Sequence, residues 1–270
     1  LYFMARSFKT KDTRRITNTH TKILSQLNYV INLSENYKNA IKENVNNYIS
    51  NKINETLSSI PVDELNRNKQ GIRIKSLHDN GYNNISDIAY KTVLELKDIN
   101  GISLESAYAI RETVDKMVNQ VVDVTKLALS VDNKAPETTA IVRCVNIYRK
   151  IFPCAGRCTQ LLNTYSEKVK TEIENVATAK NGVKWLFSSK ENKDKAEKAY
   201  EFLTYLAKSE YGAFADESSK SAIDVEKITD EECWSDFEKY SIQFYNILEE
   251  ITPNALGNNK ALGLPDELAK

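Results

Sequence analysis

Glycine and proline are scarce in this chain, 8 and 5 in 270 residues. A β-sandwich or barrel draws on both at its many turns, so an all-β architecture is excluded at the outset. Histidine occurs twice, at His20 and His78, which argues against a Ser-His or Cys-His catalytic engine. Only one pair of the four cysteines is close in sequence, Cys154-Ala-Gly-Arg-Cys158. A zinc site needs two more ligands, and Cys144, Cys233 and the two histidines form no second pair of usual spacing. Reduced thiols and no cofactor are expected. No Gly-x-x-x-x-Gly-Lys-Ser/Thr loop, His-Glu-x-x-His or Gly-x-Ser-x-Gly occurs, so no enzyme activity is expected of this chain. No apolar run approaches the roughly 18 residues of a membrane span, so no membrane partner is expected.

No secretory signal is expected at the N-terminus. Residues 1–3, Leu1-Tyr2-Phe3, read as the end of a protease-site tag, and Met4 as the native start. The residues after Met4 are polar, and a cytoplasmic protein is expected. Net charge is zero but unevenly spread. Residues 1–60 carry +5, 61–130 carry −1, 131–210 carry +4 and 211–270 carry −8. A strongly basic footprint is missing, and the acidic C-terminal section could repel nucleic acid or face a protein partner.

What the chain has in quantity is helical periodicity. Ile23, Leu27, Val30, Ile31, Tyr37, Ile41, Val45, Tyr48, Ile49 and Ile53 recur mostly three and four apart, which predicts one long helix or two over 17–57. Pro61 ends that pattern and opens a turn of helix at 61–65. Several short helices follow over 66–118, the last continuing toward Leu129. Pro136 with Glu137 suits a fresh N-terminus, for a helix that ends or kinks at Phe152-Pro153. Further helices are predicted at about 157–178, 193–209 and 231–250. The fold class is therefore all-α, with long helices forming a bundle or hairpin. The expected organisation is a helix or helical hairpin over 4–60, a small helical domain over 61–130 and a C-terminal bundle over 131–270. The aromatics Trp185, Phe187, Tyr200, Phe202 and Tyr205 could stack on bases, but at helical spacing such residues are core far more often.

One segment carries a mechanism. In Leu96-Lys-Asp-Ile99-Asn-Gly101-Ile102-Ser103-Leu-Glu105-Ser-Ala107, a short helix ends at Ile99 and Gly101 permits a positive φ. Ser103 caps the next helix, and Ala107 lets the two helices approach. This resembles the helix-hairpin-helix. Upstream, Leu77, Gly81-Tyr82 and Ile85-Ser-Asp-Ile88-Ala89 precede the turn in the same order as in the small N-terminal domain of archaeal and eukaryotic RecA-like recombinases. A similar unit ends the RNA polymerase α subunit. The resemblance covers about 71–118. It implies a turn whose backbone N–H groups at Gly101, Ile102 and Ser103 meet a DNA phosphate without reading bases. The basic run Arg67, Lys69, Arg73 and Lys75, with no acid between, is the expected electrostatic partner of that turn. Two positions depart from the family pattern: Ser103 replaces its second glycine, and Glu105 stands where lysine is common. A looser resemblance links the chain to the helical region ahead of the motor in some bacterial Swi/Snf-like (DEAD/DEAH) helicases. It rests on residues 60–75, on Gly182-Val-Lys-Trp-Leu-Phe-Ser-Ser-Lys190 and on 261–269. Together these imply a nucleic-acid-binding accessory region. The competing expectation is a protein-interaction scaffold that touches no nucleic acid.

Overall fold

The computed structural model describes residues 10–67 and 71–256. Residues 1–3, Met4, Lys69 and the 261–269 segment lie outside these. The protein is all-α with long helices, as its periodicity predicts. No strand forms among the described residues, only a single β-bridge between Pro61 and Asn84. The helices are α1 (Thr10–Ser58), α2 (Ile74–Asp79), α3 (Ile85–Ile88), α4 (Val93–Lys97), α5 (Leu104–Val124), α6 (Pro136–Ala177), α7 (Gly182–Phe187), α8 (Lys190–Lys208), α9 (Glu210–Val225) and α10 (Asp230–Ile251), with 3-10 turns at Val62–Asn66 and Thr178–Lys180. No helix is long and apolar enough to cross a membrane among the described residues.

The chain divides into two compact units, each built from separate stretches. Among the described residues one holds 10–40 together with 143–239; the other holds 41–67 and 71–142 together with 240–256. These boundaries differ from the three consecutive segments read from the sequence.

The first unit is made by four amphipathic stripes. Ile16, Ile23, Leu27 and Val30 of α1 share one core with Ile147, Ile151, Cys158 and Leu161 of α6, Ala199 and Leu203 of α8, and Tyr211 and Ala215 of α9. α1 is one helix because nothing between Thr10 and Ser58 is glycine or proline. α6 also corrects an expectation, since it runs unbroken through Pro153. A proline inside a helix removes one hydrogen bond and costs about 3 kcal/mol. Each buried aliphatic side chain returns about 1.5–3 kcal/mol, and Ile147, Ile151, Cys158 and Leu161 keep the stripe buried on both sides. Pro153 itself is exposed.

α9 has no counterpart in the sequence reading, because beyond Tyr211 its buried residues are the small Ala215, Ser218, Ser219 and Ala222 rather than aliphatics at helical spacing. It joins α8 through a single residue. Ser209 ends α8, where its hydroxyl donates to the Leu206 carbonyl (2.7 Å), and begins α9, where the same oxygen accepts from the Tyr211 N–H (3.3 Å). A Cβ on Gly212 would run into the Ala207 carbonyl, so only glycine permits this corner. The far end of α9 is tied to α1 by Glu226, whose two carboxylate oxygens accept from the hydroxyls of Tyr29 (3.0 Å) and Tyr37 (3.2 Å). Burial, then the Glu226 charge, push the Tyr37 phenol up to about 12.

The second unit packs Leu57 of α1, Val62, Leu65, Leu77, Ile85, Ile88, Leu96, Ile99, Ile102, Ile110 and Val114 into a core of its own. Two of its short helices, α3 and α4, are held by capping boxes. Asn84 and Asp87 form a reciprocal capping box at α3, and Thr92 and Glu95 do the same at α4. α5 stops at Val124 rather than continuing to Leu129. Beyond it the chain has no regular structure up to Ser130, with Leu127 and Leu129 buried, and the Leu127 N–H donates to the Ala255 carbonyl (2.8 Å).

His20 is the one histidine of the first unit, and it is buried. Its Nε2–H donates to the Leu203 carbonyl (2.8 Å), so Nδ1 is the unprotonated nitrogen. Nδ1 has no hydrogen-bond partner among the described residues, nor has the hydroxyl of Tyr211, whose ring stacks on the imidazole at 6.2 Å. Burial lowers the His20 pKa, against the weaker opposing effect of the Leu203 bond. A folded-state pKa below the unfolded value of about 6.5 means the unfolded chain takes up the proton first. The contribution to stability is complete above pH 6.5 and is lost as pH falls toward the folded pKa. Urea unfolding of wild type should therefore lose stability between pH 7.5 and 5 more steeply than His20→Gln. Parallel profiles for the two proteins would show that His20 is not the titrating group.

Candidate nucleic-acid interface

The turn between α4 and α5 is built as its sequence requires. Gly101 has φ +87°, a conformation other residues adopt at a cost. A second constraint was not visible in the sequence: a Cβ at this position would lie 2.5 Å from the Ser76 hydroxyl oxygen. The turn thus presses against α2, and Lys75 is the chain neighbour of the residue it meets. Ser103 is the N-cap of α5, its hydroxyl oxygen accepting from the Ser106 N–H (3.1 Å).

Not all three turn amides are open. The Ile102 N–H donates to the Ile99 carbonyl (3.0 Å), and the Ile102 side chain is buried. Ile102 is therefore a packing residue, which corrects its expected role as a donor. The N–H groups of Gly101, Ser103, Leu104 and Glu105 bond to no described residue, and Gly101 and Ser103 are exposed. These donors stand at the positive end of a 21-residue helix. The exposed Glu105 carboxylate is in the same first turn and competes for any anion.

The basic residues are arranged unequally. Arg73 and Lys75 are exposed, Arg73 at the N-cap of α2 and Lys75 in its first turn. Arg67 is exposed at the end of the preceding 3-10 turn and lies 3.4 Å from Glu64. Lys69 falls outside the described residues. Arg111 is near in sequence but holds the fold together. Its guanidinium donates to the carbonyls of Ala89 (2.9 Å) and Lys91 (2.8 Å) and pairs with Asp115 (2.6 Å). Lys116 pairs with Glu112 at 2.7 Å. His78 joins α2 to the 3-10 turn through Asp63 (3.1 Å) and to Asn83 (3.1 Å).

Four apolar side chains of this region face outward: Tyr90 just before α4, Leu94 on α4, and Leu104 and Tyr108 one turn apart on α5. Sequence reading passed over them, since their spacing is that of core residues.

Elsewhere in the second unit a cleft of about 830 Å³ is lined by Lys42, Asn46, Asp123, Lys126, Thr252 and Asn254, among others. It carries no histidine or cysteine. Among the described residues no group of three or more His, Cys, Asp or Glu side chains could hold a metal ion. Of the aromatic set at 185–205, Trp185 is in the core and Tyr200 and Phe202 are half-buried, while Phe187 and Tyr205 are exposed.

No protein-family model matches the sequence, and no curated protein or solved structure matches it either.

Gly101→Ala should destabilise the second unit by about 1–3 kcal/mol, from the positive φ and from the contact with Ser76. Adding Ser76→Gly should recover the contact share and leave the φ share. An unchanged urea midpoint for Gly101→Ala would show that the turn tolerates a side chain.

Proposed function

We propose that this chain is a nucleic-acid-binding accessory region, in which the α4–turn–α5 pair is a helix-hairpin-helix that grips the phosphate backbone without reading bases. The observation that carries the reading is the row of open N–H donors at Gly101, Ser103, Leu104 and Glu105 at the start of α5, with Lys75 beside Ser76 at the same turn. Backbone donors and a helix dipole favour a phosphate oxygen whatever the sequence. A hairpin of this kind holds a strand and does no chemistry on it. In this reading the chain acts by positioning, as part of a larger DNA helicase or translocase.

A second reading is favoured by a different observation. Tyr90, Leu94, Leu104 and Tyr108 are 75%, 68%, 47% and 61% exposed around the same helix pair. A face of this kind suits a protein surface, and Glu105 within it opposes a polyanion. In that reading the pair is a docking element and the protein a scaffold.

Gel-shift titrations over a range of salt separate the two. Duplex or single-stranded DNA should bind weakly and without sequence preference, with affinity falling as salt rises. Arg73→Glu with Lys75→Glu should weaken binding equally on all sequences and reduce the salt slope by about one for each phosphate no longer neutralised. Glu105→Lys should strengthen binding. Both changes lie on the surface and should alter stability by no more than about 0.5 kcal/mol. Binding that ignores Glu105→Lys in a folded protein would move the contact away from this turn. Absence of binding to any DNA or RNA at low salt would leave the scaffold reading.

A further inference from the structure

An outward-facing apolar surface in the first unit is not used by the proposed function. Val183, Leu186 and Phe187 are 62%, 57% and 86% exposed. On α7 they stand at positions i, i+3 and i+4, so they share one face. Trp185 points the other way, into the core, with the Lys193 ammonium over its ring at 5.9 Å. Asn181 fixes the start of the helix by accepting from the Val183 N–H (2.9 Å), and the Ser188 N–H closes its end on the Trp185 carbonyl (3.2 Å). The short helix is thus pinned through its indole while three apolar side chains project.

We propose that this face of α7 inserts into the interfacial layer of a membrane bearing anionic lipid. Charge is the first argument. From Asn175 to Lys190 the chain has no acidic residue, and Lys180, Lys184 and Lys190 fall within that stretch. Apolar side chains flanked by lysines combine the two signals that hold a protein at an anionic bilayer surface.

Size and shape choose between lipid and other occupants. A stable protein interface covers about 800 Å² on each partner, and three side chains on a six-residue helix fall well short of that. A bilayer needs no complementary surface. Nucleic acid would suit the lysines, but its charged backbone offers Val183, Leu186 and Phe187 no apolar layer, and burying them there would require unstacking bases. The interfacial layer accepts all three side chains without deforming anything.

The test is cosedimentation of the whole chain with phosphatidylcholine vesicles, with and without phosphatidylserine, and it is independent of the nucleic-acid reading. Wild type should pellet with the phosphatidylserine vesicles and much less with phosphatidylcholine alone, and added salt should weaken the pelleting. Leu186→Ser with Phe187→Ser should lower the partition at least about tenfold while leaving the thermal melting curve in place, since both side chains are exposed. Lys180→Glu with Lys190→Glu should remove the preference for phosphatidylserine. Failure of wild type to pellet with either vesicle overturns the proposal, as does equal pelleting by the serine variant. If that variant instead loses duplex DNA, or converts a dimer to a monomer, the face belongs to nucleic acid or to a second copy, and the lipid assignment falls.

Discussion

Everything in this protein depends on covering amphipathic helices that are too long to satisfy themselves. A helix such as α1, 49 residues without glycine or proline, forms readily but carries an apolar stripe along its length. Water makes that stripe unfavourable, and only the stripes of other helices can remove it. α6, α8 and α9 do so in the first unit. In the second, the residues after Leu57 fold into short helices, two of them closed by capping boxes, that present single large aliphatics, Leu77, Ile85, Ile88 and Leu96, to one core. The two units solve the same problem in opposite ways. One uses length and periodicity, the other capping boxes and turns.

That contrast explains what could be read in advance. Helices whose buried face is Ile, Leu and Val at intervals of three and four were legible, and so was the start of α6 at Pro136. The reading failed where burial overrode a local signal or where the buried face was small. Pro153 signals a break, yet the stripe continues on both sides of it and the helix persists. α9 has one large anchor, Tyr211, and its other buried residues, Ala215, Ser218, Ser219 and Ala222, are too small to leave a periodic apolar signal. The capping of α5 by Ser103 and the positive φ of Gly101 were readable because glycine and serine have narrow local reasons to occur there. That Ile102 spends its amide on Ile99, and Arg111 its guanidinium on two carbonyls, depends on distances that no spacing rule supplies.

The same distances decide which charges remain for a partner. A basic residue near a motif in sequence is only a candidate until its bonds are known. Arg111 is committed within the fold, while Lys116 and Arg67 stand in exposed pairs with Glu112 and Glu64. Arg73 and Lys75, on a helix pressed against the Gly101 turn, are the pair whose position follows from packing rather than from adjacency in the chain.

The two discontinuous units have a consequence for synthesis. Residues up to 40 leave the ribosome long before their partners at 143–239, and the whole of 41–142 emerges between them. The apolar stripe of α1 is then present with nothing to cover it until α6, α8 and α9 appear. Contacts between residues so distant in the chain close large loops and form slowly. During that interval the nascent chain exposes Ile16, Ile23, Leu27 and Val30 together, a surface that general chaperones recognise and that drives self-association when left unattended. The small helices of 61–124, whose contacts are local, are free of this delay and can mature first.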